Sequence, residues 1–210
     1  MSAGRCCIIN LLSIKNTSST RLHMDEPLAV MQLSRQLEAY LLDAAKRKPP
    51  IICCIGTDRA TGDSLGPLTG WRLQSLLQGL STANPCSEIE VWGTVEHPIH
   101  AANLQEILTT LAPKIKERPL IAIDACLGHY SNIGTIVFQH GPLKPGTAVK
   151  KHLPEVGDVG ITGIVNVGGF RELQILQNTR LHTVLKMSQI IAHSIFLALR
   201  NTVIKHHSLL

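Results

Sequence analysis

Two aspartates leave apolar runs in this chain, and paired carboxylates are the chemistry its residues most directly suggest. The first run, Ile51-Ile52-Cys53-Cys54-Ile55, passes into Gly56-Thr57-Asp58-Arg59-Ala60-Thr61-Gly62-Asp63-Ser64-Leu65-Gly66-Pro67. The second, Leu120-Ile121-Ala122-Ile123, ends on Asp124-Ala125. Short apolar runs between breakers read as buried strands. In an open α/β sheet, ligands collect outside the carboxyl ends of such strands. Two carboxyls over one cleft cannot both ionise easily, so one pKa rises and the other falls, separating an acid from a base. The apolar strands beneath would desolvate Asp63 and Asp124 and strengthen that coupling. Such a pair can activate water and protonate a leaving group. Backbone N–H groups at Leu65 and Gly66, at a helix N-terminus, are the expected oxyanion donors.

Each residue also has a plainer reading. Asp63 fits a helix cap as well as a catalyst. Asp58 reads as a turn residue and, in isolation, so does Asp124. His100 could partner an acid at the cleft or simply open a helix, and His97 reads as a surface residue. The first loop lacks G-x-G-x-x-G and G-x-x-x-x-G-K-[ST], and two acids are ill suited to a phosphate cradle, so no nucleotide motif is supported.

The elements that must position these residues follow from periodicity. A polar linker precedes residue 25, with a strand expected at Cys7–Ile14. A helix is expected from near Asp25, with Pro27 in its first turn, to Lys46, where Pro49-Pro50 stops it. Pro67 opens a second helix ending near Gln78-Gly79. Strands are expected at Ile89–Gly93, Leu120–Asp124 and Gly134–Gln139, and a helix at Ala101–Leu111 that Pro113 shortens. The Gly- and Val-rich stretch 150–170 admits a loop with a short helix or strand, and a helical pattern runs on from Arg171. Strands alternating with helices predict an α/β fold, a three-layer αβα sandwich. One such domain is expected over 25–210, with 1–24 as an appendage.

The two acidic segments together resemble the sporulation protein YyaC family, relatives of the germination protease of spore-forming bacteria. Their two-acid layout also resembles the hydrogenase maturation endopeptidases. The resemblance extends through Gly93-Thr94-Val95, Pro98-Ile99-His100-Ala101, Leu153-Pro154-Glu155-Val156-Gly157-Asp158, Thr162-Gly163-Ile164-Val165-Asn166-Val167-Gly168-Gly169-Phe170 and Gln177-Asn178-Thr179-Arg180-Leu181. It covers roughly residues 49–199. It implies a phosphorylase/hydrolase-like sandwich, as in the hydrogenase maturation proteases. It also implies a catalytic pair at Asp63 and Asp124, with Asp58, His100, Asp158, Asn166 and, more loosely, Arg180 at the cleft. In the hydrogenase peptidases the two acids touch the nickel of the substrate precursor. Their third ligand, a histidine, has no clear match here, and Asp158 stands in that region.

Bulk composition narrows the classes. At 44% hydrophobic and 17% charged residues, the chain builds a core. Its formal charge of +5 is scattered and only 3% of residues are aromatic, which leaves no base-stacking platform, so no nucleic-acid partner is expected. A peptidyl-tRNA hydrolase-like enzyme is disfavoured because a G-L-G-N loop and R-H-N motif are missing. Six cysteines without a C-x-x-C pair suit a reducing cytosol. The apolar stretch from Cys6 to Ile14 lacks a cleavage site, and no stretch approaches the ~20 residues of a membrane span, so neither secretion nor a membrane partner is expected. The reading is a peptidase of sporulation, in the cytoplasm or forespore, acting on a protein or peptide and forming a homo-oligomer in one version. No resident cofactor is expected, with a divalent metal between Asp63 and Asp124 left open. The alternative is a non-catalytic structural or regulatory protein on the same fold.

Overall fold

The computed structural model describes residues 19–44, 48–79, 88–146 and 153–207, with side chains to 202. Its strands are β1 (Ser19–His23), β2 (Ile51–Cys54), β3 (Glu90–Trp92), β4 (Leu120–Gly128), β5 (Thr135–His140) and β6 (Val159–Val167). Its helices are α1 (Ala29–Asp43), α2 (Leu65–Gln78), α3 (Leu104–Ile115), α4 (Glu172–Gln177) and α5 (Leu181–His207). The strands form one sheet in the order β1-β5-β6-β4-β2-β3. β3, β2, β4 and β6 run parallel, while β5 is antiparallel to β6 and β1 to β5.

β2 and β4 are apolar on both sides because both sides are covered. Ile52, Cys54, Ile121 and Ile123 join a core with Leu33 and Leu37 of α1, Leu73 of α2 and Met187 and Ile191 of α5. Ile51, Cys53, Leu120 and Ala122 face the other way, onto Leu104 and Leu111 of α3. The period-2 alternation of strand side chains therefore splits one continuous apolar run between two cores. The result is the expected three-layer sandwich, with α1, α2 and α5 on one face and α3 on the other. Each Leu or Ile buried this way contributes about 1.5–3 kcal/mol.

Several boundaries differ from expectation. Ser19–His23, read as polar linker, is the edge strand β1. Leu22 faces inward opposite Ile136 and is buried, while Ser19 and Arg21 are exposed, so one inward apolar residue suffices at an edge. The strand expected at Cys7–Ile14 lies outside the described residues. α1 starts at Ala29, because Asp25 instead accepts a hydrogen bond from Lys186 Nζ at 2.6 Å and Glu26 Oε1 accepts one from the His23 N–H. α3 runs through Pro113 to Ile115. The stretch left open at 150–170 contains the nine-residue β6, and the helical pattern beyond it breaks at Asn178–Arg180 into α4 and α5. No helix among the described residues is long and apolar enough to cross a membrane.

Candidate active site

β2 and β4 are neighbours in the sheet but not in sequence. From their carboxyl ends the chain runs from β2 through α2 toward β3 and from β4 past β6 toward β5, so the two connections diverge at a topological switch point. Past β2, the Ile55 N–H donates to the Ile123 carbonyl at 2.7 Å and the Gly56 N–H to the Ile99 carbonyl at 2.7 Å. The chain then doubles back. The Thr57 N–H donates to the Asp63 carbonyl at 3.1 Å, and the Asp63 N–H to the Ala60 carbonyl at 3.0 Å. Gly56 has φ +140°, and a Cβ there would overlap the Asp63 carbonyl oxygen. A glycine is thus required for the loop to close down on the strand end. The closed loop ends in a 3-10 turn, Thr61–Ser64, which carries Asp63 and feeds directly into α2.

Asp124 is not the last residue of its strand, as the sequence suggests, but the fifth of nine. β6 continues beside it, pairing Asp124 with Thr162 and holding the ladder to Gly128. On the other side β2 has already ended, its Cys54 standing opposite Ile123. Asp124 therefore projects at the point where one neighbour strand has gone. It is 8% exposed, and its Oδ1 accepts the Ala125 N–H at 2.9 Å. The alternation of β4 sets it on the same side as Cys53 and Ala122.

The electrostatics separate the two acids. Burial pushes the Asp124 carboxyl well above the usual carboxylate range, and the charge of Asp63 pushes it further, against one stabilising bond from Ala125. Burial also raises Asp63, but the Thr57 N–H and the nearby charge of His100 pull it back. Both carboxyls are thus held above the usual carboxylate range, Asp124 the further. The Cys53 thiol is pushed up to about 12, by burial first and the Asp124 charge second, so it is an inert neighbour rather than a nucleophile.

The other expected site residues divide. His100 lies near enough to Asp63 for its charge to act there. Its ring Nδ1 accepts the Ala102 N–H at 3.3 Å, and its backbone N–H donates to Asn103 Oδ1 at 2.8 Å. Leu65 and Gly66 occupy the first turn of α2, with the Leu65 side chain fully buried. Asp58 is exposed in a turn with Thr57, whose hydroxyl lies 3.5 Å from its Oδ1. Asp158 is a correction. It precedes β6 and accepts the Leu120 N–H at 2.9 Å, so it sits at the amino end of the sheet, opposite the acid pair. Asn166 joins two elements of the scaffold. Its Nδ2 donates to Thr179 Oγ1 at 3.2 Å and to the Ile175 carbonyl at 3.4 Å, tying α4 to β6. Arg180 is exposed between α4 and α5.

Sequence reasoning missed the support beneath Asp63. Gly62 lies against Leu176 and Thr179, with no room for a side chain, so α4 forms the bed of the 3-10 turn. The matched segment around Asn178-Thr179 was the available signal. Among the described residues, no group of three or more His, Cys, Asp and Glu side chains gathers as a metal site.

Comparison with known proteins places the chain in a family. It belongs to the family described as protein of unknown function (DUF1256), whose model matches residues 21–194. It is 43% identical over 169 residues to the uncharacterized protein YyaC of Bacillus subtilis (strain 168), spanning 80% of this chain and 78% of that one. Among solved structures it is similar to a [NiFe] hydrogenase maturation protease, HycI from Thermococcus kodakarensis KOD1. That match has 18% identity and a TM-score of 0.42, covering 75% of this chain and 99% of the other.

Proposed function

We propose that this DUF1256 protein hydrolyses a peptide bond in a protein or peptide substrate, with Asp63 and Asp124 as paired acids. The observation that carries the reading is two carboxyls at one switch point, both raised by burial and coupled by charge. Pairs of titratable groups driven apart by their surroundings divide into acid and base. Asp63, the more easily ionised, takes a proton from water as the water oxygen bonds to the carbonyl carbon. The tetrahedral oxyanion lies toward the first turn of α2, where the helix dipole favours negative charge. The C–N bond then breaks as Asp124 gives its proton to the leaving nitrogen. Transfer of the proton from Asp63 to Asp124 restores the starting state. No resident metal or cofactor enters these steps.

The wider setting belongs to the same proposal. The resemblance to the YyaC family supports a substrate among sporulation proteins and a site of action in the cytoplasm or forespore. The test compares the wild type with Asp63→Asn and Asp124→Asn on protein extracted from spores, with products followed by mass spectrometry. Each substitution is expected to lower cleavage by about 100-fold or more, as loss of a general acid or base does, with folding intact. Absence of cleavage by all three proteins would overturn the reading and leave a binding or regulatory role for the fold. Undiminished cleavage by either variant would overturn the assignment of the acids.

A further inference from the structure

Among the described residues β3 is the last strand of the sheet, and beside it lies a cleft of about 510 Å³ that the acid pair does not line. Gln74 of α2 walls it from one face of the sheet, and Asn103 and Ile107 of α3 wall it from the other. Val91, Trp92 and Gly93 lie between them. A cleft touched from both faces, with strand residues between, lies on the sheet edge itself. Among the described residues β3 pairs with β2 alone. An unpaired strand edge presents a row of backbone donors and acceptors. Gln74 Nε2 already donates to the Val91 carbonyl at 3.4 Å, a side-chain contact at the place where main chain would bind.

The cleft also leads somewhere. Its lining continues through Pro98 and Ile99 to His100. Ile99 forms a parallel bridge with Ile55, and the Gly56 N–H donates to the Ile99 carbonyl. That bond joins the cleft wall to the start of the loop that carries Asp63. His100 is the shared residue, lining the cleft and placing its charge on Asp63.

We infer that this cleft is the substrate subsite, binding an extended peptide segment as an added strand on β3, with an aliphatic side chain against Ile107, and directing it past His100 to the acids. The inference rests on the peptidase reading and names its substrate class: an unstructured or locally unfolded segment, not a folded surface. Main-chain bonds along a strand edge supply affinity in this mode, and pockets for alternate side chains supply selectivity. The mixture of apolar floor and a few polar walls at Gln74 and Asn103 fits such a ligand.

The test separates binding from chemistry. A library of short random peptides is selected on the immobilised full-length Asp63→Asn/Asp124→Asn protein, and enriched peptides are synthesised. Hydrogen exchange is then followed by mass spectrometry with and without each peptide. The expected result is slowed exchange in residues 90–94. Filling the cleft with Ile107→Trp is expected to weaken binding about tenfold or more, the loss typical of a blocked central pocket. Gln74→Trp, at the rim, is a second variant should the first fail to fold. Overturning results are no enriched peptide, protection confined to residues outside the cleft such as the exposed Tyr130 or Phe170, or binding indifferent to both substitutions. Peptides that bind at β3 yet survive the wild-type enzyme would retain the subsite and remove the peptidase reading. Peptides cleaved without protection of β3 would do the reverse.

Discussion

At the scale of single residues, the carboxyl of Asp124 binds its proton more tightly in the folded chain than in the unfolded one, because burial and the Asp63 charge both disfavour its ionised form. A folded pKa above the unfolded value stabilises the protein at low pH and loses that contribution as pH rises. Wild-type stability is therefore expected to fall by up to about 1.4 kcal/mol per pH unit above the ordinary carboxyl range, until the folded group itself ionises. Asp124→Asn keeps an acceptor for the Ala125 N–H and removes the titration. It is expected to be more stable than wild type at neutral pH, with the advantage vanishing below about pH 4, where both folded and unfolded carboxyls are protonated. Urea unfolding at the two pH values measures this. An equal difference at both would show that Asp124 holds no proton on folding. In the sequence, the proposed pair was marked by acids that close two apolar runs, at Asp124 directly and at Asp63 through a loop. Asp158 was not, because it precedes its strand and so falls at the opposite end of the sheet.

Among the elements, α2 decides how close Asp63 comes to the sheet. Gly66 is pressed on the backbone of Ile55, and Gly70, one turn later, on the carbonyl of Gly93. These two glycines let the helix lie against β2 and β3 more closely than any side chain permits. Gly66→Ala must push α2 outward, since its Cβ would overlap the Ile55 carbonyl oxygen and backbone does not yield as a side chain does. Overpacking of this kind costs about 1–3 kcal/mol or more. The 3-10 turn runs directly into the helix, so the proposed peptidase activity is expected to drop further than the fraction of folded protein. Thermal unfolding beside activity at a temperature where both proteins are folded would show it; activity that merely tracks folding would refute the positioning role. Gly66 was visible in the sequence as a helix start, but the close approach was not, because it depends on Ile55, eleven residues earlier in the chain. The lengths of β4 and β1 were hidden for the same reason. β4 runs past Asp124 only because β6 lies alongside, and β1 needs only Leu22 opposite Ile136.

Across the whole molecule, the alternation of strands and helices was enough to predict three layers, while strand order was not readable. β2 and β4 meet through a connection that skips a neighbour, and β5 is reversed between β1 and β6. Non-local pairing of that kind leaves no periodic trace, yet it creates the switch point on which the site depends. Charge is a property of the same scale, and it bears on substrate choice. Twenty Lys and Arg against fifteen Asp and Glu give the chain a formal charge of +5. The cleft itself is less basic, because Glu96 lines it and no Lys or Arg does among the described residues. The positive field therefore acts on approach rather than in the bound complex. Long-range fields alter encounter rates and are screened beyond about 8 Å at physiological salt. For two peptides sharing one cleaved core, an acidic flank is expected to give the higher kcat/KM at low salt and to lose that advantage as salt rises. A basic flank should behave oppositely, with kcat common to both. Steady-state rates over a salt series decide it: salt dependence that ignores the sign of the flank would mean that the net charge serves solubility alone, and that only the edge of β3 and the two aspartates choose the substrate.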